Sequence, residues 1–248
     1  MIDRNYSELN PNYDQPPIQS EQNDELIKQQ IASPLTSDEL QRLFPFPIRI
    51  IRYGLLPSFQ NLDQILDPYG AAIILFETEV LNGNPNQKKI KNPKKSAPIY
   101  SGHYVALCRS IDDDNNPSIN FFDSYGIIPD DEKKYIDKEF QSIIGTSYNY
   151  LSQLLLHANN NYDEVIEYNQ IRFQKMDKNV STCGRFCAIR VLLKEFPLDQ
   201  FQEFMKRLKK MYNRSYDEIV VILTQPALDD EINAKELQGL LRDIFMSV

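Results

Sequence analysis

The sequence predicts an α+β protein in which a mixed central sheet is flanked by helices. Short runs of β-branched and apolar residues concentrate between residues 48 and 123. From residue 130 onwards, apolar residues mostly recur at helical spacing. Strands in the first half of a chain and helices in the second are typical of α+β folds.

The first 35 residues are predicted to form a flexible polar extension. They are rich in Asn, Gln, Pro and acidic residues and show no apolar period, so they offer little surface for a core. Order is expected to begin at Thr36, because Thr36 and Glu39 match a capping box at a helix start. Residues 36–248 are predicted to form one domain.

Three elements are predicted between the capping box and the middle of the chain. Residues 48–53 are rich in β-branched side chains and predict a strand. Residues 57–66 carry apolar residues at helical spacing. The apolar run over 71–78 predicts a fully buried strand.

A basic loop is predicted over residues 81–98, which hold five Lys together with Pro and Asn. Solvated charge is the simpler interpretation, and contact with an acidic partner such as nucleic acid is the alternative. The whole chain has a net charge of −8, whereas phosphate binding requires clustered cations. General nucleic-acid binding is therefore not expected.

The composition predicts a soluble, intracellular protein that is not secreted. Its longest apolar run covers residues 71–76 and is too short to cross a bilayer. The N-terminal residues are polar and lack the hydrophobic core of a signal peptide. Three cysteines, a small and odd number, suit a reducing compartment better than a disulfide framework.

An antiparallel hairpin is predicted from residues 103–110 and 118–123, which both resemble strands. The run of Asp, Asn and Pro between them has strong turn chemistry. Pairing His103 with Asp123 puts the centre of the hairpin at residue 113, inside that turn. Opposed residues lie on one face with Cβ atoms about 5 Å apart, so these two side chains are expected to meet.

The remainder of the chain is predicted to be mostly helical. The expected helices cover residues 130–140, 148–157, 183–196, 198–212, 216–223 and 232–246, and one strand lies within 165–174. Pro197 ends the apolar helix that begins at Cys183.

Two histidines are present, His103 and His157. His157 follows an apolar run at the expected end of a helix, where a cation suits the helix dipole, so a structural role is preferred. His103 opens a strand and has an acid across the hairpin. The role of a base near neutral pH is therefore assigned to His103.

Among the three cysteines, Cys183 has the setting of a reactive thiol. Ser181 and Thr182 are interpreted as helix N-cap residues. Cys183 then lies in the first turn, where partial positive charge favours the thiolate. Gly184 is expected to leave space for a substrate, and Cys187, one turn deeper, is expected to pack in the core.

A thiolate beside an imidazole that a carboxylate holds is the cysteine form of the nucleophile, base and orienting group. Cys183, His103 and Asp123 are the candidates for these roles. An oxyanion would need hydrogen-bond donors. The backbone N–H of Cys183 is one candidate donor, and a glutamine upstream, Gln174 or Gln170, is another.

Three segments resemble blocks of the adenain-like cysteine proteases: GHYVAL over 102–107, FFDSYG over 121–126 and TCGRFC over 182–187. The likeness is greatest to versions from virophages, Polinton-type elements and giant DNA viruses. The related SUMO-specific proteases share the same His, Asp, Cys order. The resemblance covers residues 36–200 and implies a papain-like fold, a nucleophile at the start of a central helix, and endopeptidase activity.

The resemblance also implies which residues act and on what. His103, Asp123 and Cys183 match the family's triad, and Gln174 is the nearest upstream glutamine for the oxyanion, with Gln170 as the fallback. The implied substrates are capsid and core precursors cut near Gly during virion maturation, in the viral particle or the host cytoplasm. A monomer is expected.

No cofactor or metal is expected. Adenovirus members are activated by DNA and by a peptide joined through a cysteine between the acid and the nucleophile. This chain has no cysteine between Asp123 and Cys183, and it is acidic. Neither cofactor is therefore carried over.

Two other interpretations stay open. Cys108, Cys183 and Cys187 with His103 could form a Cys3His zinc set in a scaffold protein. Cys108, however, lies five residues after His103 and is expected on the opposite face of the strand, as a small buried apolar residue. A ubiquitin-like-protein isopeptidase would use the same triad on another substrate.

Overall fold

A five-stranded mixed sheet runs through the computed structural model, which describes residues 21–80, 100–136, 138–162 and 164–247. The strands, β1 to β5 in chain order, are Arg49–Arg52, Ala71–Val80, Tyr100–Ile111, Pro117–Phe122 and Val165–Tyr168. Their order in the sheet follows the chain. The central pairs β2–β3 and β3–β4 are antiparallel, and the outer pairs β1–β2 and β4–β5 are parallel. The predicted α+β class with a mixed sheet is therefore confirmed.

Helices flank the sheet. In the described part of the chain, α1 to α9 are Glu21–Ala32, Ser37–Arg42, Asp63–Leu66, Lys138–Ile144, Tyr150–Tyr162, Cys183–Leu192, Leu198–Tyr212, Tyr216–Leu228 and Ala234–Ser247. Two short 3-10 helices cover Tyr53–Ser58 and Asp131–Tyr135. None of the helices in the described ranges is long and apolar enough to span a membrane.

The sheet separates two apolar cores, because successive side chains of a strand point to opposite faces. On one face, Ile73 of β2 belongs to the core that contains α6 and α7. On the other face, the neighbouring Ile74 belongs to the core that contains buried residues of α3 and α5. All ten residues of α6 are buried, so the helix that carries Cys183 is central to the fold.

The predicted hairpin is confirmed, with a corrected register. Its turn is centred one residue later than predicted, because Asp112 caps the backbone N–H groups of Asp114 and Asn116 and Ile111 pairs with Pro117. The pairing ends at Ala106 opposite Phe122. Asp123 therefore follows the paired strand, and it does not lie directly opposite His103.

Two predicted helices are broken. The structure replaces the helix expected over 57–66 with the 3-10 helix Tyr53–Ser58 and α3. It also divides the range 130–140 between the 3-10 helix Asp131–Tyr135 and α4. Local apolar spacing indicated the buried positions in these ranges, but it did not indicate where the helices are interrupted.

Helix α1 lies inside the range predicted as a flexible extension, so the prediction does not describe residues 21–32. Tertiary contacts explain the helix: Asp24 forms an ion pair of 2.7 Å with Arg214, and the carbonyl of Ile31 accepts a 2.7 Å hydrogen bond from the N–H of Ser181. Residues 1–20 of the predicted extension and the basic loop 81–98 lie outside the described residues.

Candidate active site

A cleft of about 420 Å³ opens where β3 begins, the chain leaves β4 and α6 starts. His103, Cys183 and Gln174 line it together with residues from the 3-10 helix Asp131–Tyr135 and from the segment after α1. The cleft therefore collects side chains from well-separated parts of the sequence.

The backbone of Asp123, which directly follows β4, is fixed by two hydrogen bonds. The side chain of Asn169 bonds both backbone groups of Asp123: its Oδ1 accepts from the N–H at 2.9 Å and its Nδ2 donates to the carbonyl at 2.7 Å. The Asp123 side chain is fully buried, and its Oδ1 accepts from the N–H of Tyr125 at 2.7 Å. The carboxylate is thus held rigidly in a site with little water.

His103 is held between this carboxylate and an aromatic ring. Its Nε2 lies 2.8 Å from Oδ1 of Asp123, and its ring stacks on Tyr125 with centroids 4.6 Å apart. Because an ionised carboxylate only accepts hydrogen bonds, Nε2 carries a proton. That assignment leaves Nδ1 for a second partner.

The thiol of Cys183 lines the same cleft as the imidazole of His103, and each group acts on the pKa of the other. Burial acts to raise the pKa of Cys183, but the bond to His103 and its charge outweigh burial and lower that pKa below the ordinary value. Burial also acts to lower the pKa of His103, but Asp123 and Cys183 raise it well above the ordinary value. Both shifts favour a thiolate and an imidazolium.

Backbone groups reinforce the thiolate. Hydrogen bonds from the backbone of Tyr104 and of Gly184 contribute to the lowered pKa of Cys183. These donors come from the start of β3 and from the first turn of α6, where N–H groups have no partner within the helix. The placement of Cys183 at the helix start is as predicted.

The N-cap prediction for this helix is wrong in its chemistry. Thr182 occupies the N-cap position but makes no side-chain cap bond. Its hydroxyl instead donates to the carboxylate of Asp217 on α8. Because the Thr182 hydroxyl bonds Asp217, Thr182 does not cap the N–H groups in the first turn of α6.

Gly184 lies beside two neighbouring side chains. A Cβ atom at this position would lie 3.4 Å from Cδ2 of Tyr104 and 3.6 Å from Cδ1 of Leu35. These are ordinary van der Waals distances, so a Cβ atom at this position would pack against both side chains. The role of Gly184 in leaving space for a substrate stays a prediction.

The structure distinguishes between the two candidate glutamines. Gln174 is buried and lines the cleft, whereas Gln170 is exposed and is not among the lining residues. The amide of Gln174 donates to the hydroxyl of Tyr125 at 3.1 Å and to the carbonyl of Val180 at 3.2 Å. Both of its donor hydrogens thus have partners within the protein.

The other two cysteines and His157 lie apart from this chemistry. Cys108 is buried on β3, and the thiol of Cys187 donates to the carbonyl of Tyr104 at 3.3 Å. Burial raises the pKa of both thiols. His157 is exposed within α5, which continues to Tyr162, so it does not end the helix as predicted.

The Cys3His zinc set does not assemble among the residues that the structure describes. The group of possible metal ligands found there consists of His103, Asp123 and Glu132, whose ligand atoms lie within 4.8 Å of one another. Glu132 was not singled out from the sequence, because it stands among acidic residues at the start of the helix predicted over 130–140. No local signal distinguishes it from its neighbours.

Fold and site together define an α+β protein in which Cys183 and His103 line one cleft and His103 bonds the buried Asp123 at 2.8 Å. No family model matches the chain, and no solved structure matches it. The chain is 32% identical over 190 residues to "Uncharacterized protein V9" of the Sputnik virophage. That match covers 77% of this chain and 93% of the relative. The chain therefore belongs to the same family as this virophage protein.

Proposed function

We propose that the protein is a cysteine endopeptidase of the adenain-like type with a papain-like fold. The observation that carries the proposal is that Cys183, at the start of a buried helix, lines one cleft with His103, which bonds Asp123 at 2.8 Å. Sulfur, imidazole and carboxylate stand in the order that acyl transfer requires.

In the proposed reaction, the Cys183 thiolate attacks the carbonyl carbon of the scissile peptide bond. The His103 imidazolium then gives its proton to the leaving amine, and a thioester to Cys183 remains. A water molecule that loses a proton to His103 hydrolyses the thioester and regenerates the thiolate. Asp123 keeps the ring in the required tautomer throughout.

The developing oxyanion needs donors that face the cleft. Backbone N–H groups of the first turn of α6 supply part of this role, since Thr182 does not cap them. Gln174 is the side-chain candidate because it is buried and lines the cleft. The Gln174 amide would give up its hydrogen bond to Tyr125 or to Val180 and donate to the oxyanion instead. A hydrogen bond to the oxyanion strengthens in the transition state.

The proposed substrates are capsid or core precursor proteins, cut near Gly during virion maturation in the viral particle or host cytoplasm. Membership of a virophage protein family supports this context. A ubiquitin-like-protein isopeptidase would share the hydrolytic groups, so substrate profiling separates the two activities.

The test compares Cys183→Ala with Cys108→Ala on a peptide library that includes Gly-containing peptides and ubiquitin-like conjugates. Mass-spectrometric mapping of the products should show cleavage by the wild type and by Cys108→Ala, but none by Cys183→Ala. Cys108 is the matched control because it is a buried thiol that does not line the cleft. Normal turnover by the Cys183 variant would refute the proposal, and preferential cleavage of conjugates would favour the isopeptidase.

A further inference from the structure

Glu132 is a buried carboxyl group beside the proposed triad. It lies in the 3-10 helix Asp131–Tyr135, is 4% exposed and lines the same cleft as His103. Its carboxyl oxygen comes within 4.8 Å of the side-chain atoms of Asp123 and His103 that could bind a metal. An ionised glutamate at this position would place two buried negative charges next to each other.

Asp123 and Glu132 can form a hydrogen bond with each other only if one of the two carboxyl groups carries a proton. As two carboxylates, Oδ2 of Asp123 and both oxygens of Glu132 are buried acceptors with no hydrogen-bond partner among the described residues. Buried polar groups without partners destabilise the folded protein, and buried charged groups do so more strongly. One proton on either carboxyl group turns this repulsion into an O–H···O bond.

The surroundings place that proton on Glu132. Oδ1 of Asp123 already accepts from His103 and from the N–H of Tyr125, and both donors favour the ionised form. Asp123 and His103 act on Glu132 electrostatically, and Glu132 in turn acts on the adjacent Lys133. The ammonium of the adjacent Lys133 bonds Asn149 instead.

We infer that Glu132 is a positioning residue: its protonated carboxyl group donates a hydrogen bond to Asp123 and so holds the Asp123 carboxylate towards His103. The expected effect on catalysis rests on the proposed protease function. The proton that Glu132 donates to Asp123 does not depend on that function. In agreement with the geometry, burial and the charge of Asp123 raise the pKa of Glu132 to about 10. Burial also acts to raise the pKa of Asp123, but His103 and the bond from Glu132 lower it.

A divalent cation is the other species that could satisfy the same oxygens. It would have to displace the 2.8 Å bond between Nε2 of His103 and Oδ1 of Asp123. Cys183 also acts on the imidazole, and three protein ligands are available to a metal only at the expense of the bond between His103 and Asp123. The observed contacts therefore favour the proton, and the metal becomes an outcome of the test.

The first experiment detects the proton directly and needs no protease activity. The infrared difference between the wild type and Glu132→Gln, both treated with a chelator at neutral pH, should contain the C=O stretch of a protonated carboxylic acid. Absence of that band would overturn the inference. Stoichiometric zinc in the untreated wild type that is lost in Glu132→Gln would overturn it in favour of a metal site.

The second experiment tests the positioning role through the pH profile of kcat/KM. Glu132→Gln keeps a neutral donor towards Asp123, whereas Glu132→Leu removes it and leaves Oδ2 of Asp123 without a partner. The acid limb of the kcat/KM profile should move to higher pH in Glu132→Leu but not in Glu132→Gln. Glu132→Leu should also lose at least about tenfold in kcat/KM, as is typical when a hydrogen-bond partner behind a functional group is removed. Equal profiles for the two folded variants would exclude the positioning role while leaving the infrared result and the protease proposal standing.

Discussion

The proposed site combines three charged groups with one neutral acid. A thiolate at Cys183 faces an imidazolium at His103, which faces a carboxylate at Asp123, which in turn accepts from a neutral acid at Glu132. Each charge has a partner of opposite sign or a donor, as a buried ionic group requires. Macroscopic titration therefore belongs to the cluster rather than to any one residue.

A neutral buried glutamate has a predictable effect on stability. The pKa of Glu132 is raised from 4.5 to about 10 in the folded protein, so the folded state binds more protons than the unfolded chain between these pH values. Its contribution to the free energy of unfolding is present below pH 4.5 and is lost as pH rises towards 10. The Glu132→Gln variant lacks this titration.

We therefore expect Glu132→Gln to become progressively more stable than the wild type as pH rises from 5 to 9, about the range that these pKa values bracket. Urea denaturation at several pH values measures the difference in the free energy of unfolding. Glu231→Gln, at an exposed position, is the control. A difference for Glu132→Gln that does not change with pH would contradict a protonated Glu132.

At the scale of elements, the contact between β2 and β3 positions His103. Gly102 pairs with Glu77 across these strands, and a Cβ atom at Gly102 would lie 1.9 Å from the carbonyl oxygen of Phe76. No L side chain fits there without a backbone shift. The residue that follows is His103, so the shift would reach the imidazole.

Gly102→Ala should consequently lower the free energy of unfolding by about 1–3 kcal/mol, the cost of overpacking, and should reduce the reactivity of Cys183. Gly239→Ala is the matched control, because nothing lies within 4 Å of a Cβ atom at that position in α9. The control should be neutral or stabilising by up to about 1 kcal/mol. Urea midpoints and thiol alkylation measure both variants, and equal stability of the two would count against the close contact at Gly102.

Elements with strong local signals could be predicted from the sequence. The capping box of Thr36 and Glu39 starts α2 as predicted, and both hydrogen bonds of the box are present. Helix α1 was missed because its residues carry little apolar surface, and contacts such as that of Gln30 with Arg185 come from distant parts of the chain. Contacts of this kind are not encoded in a local pattern.

At the scale of the whole molecule, the candidate site joins segments that the sheet brings together. His103 and Asp123 could be linked from the sequence because a short hairpin joins them, although the register was wrong by two residues. Cys183 was found through its position at a helix start. Gln174 could be chosen over Gln170, and Glu132 recognised, only once burial and the lining of the cleft were known.

The most direct test of the proposed site is the rate at which iodoacetamide alkylates each cysteine as a function of pH. Cys183 should react much faster than Cys108 and Cys187, and it should stay reactive below pH 9.0, the ordinary pKa of a thiol. His103→Ala should remove this reactivity near neutral pH, because the imidazolium no longer stabilises the thiolate. Slow labelling of Cys183, or labelling unchanged by His103→Ala, would contradict the account.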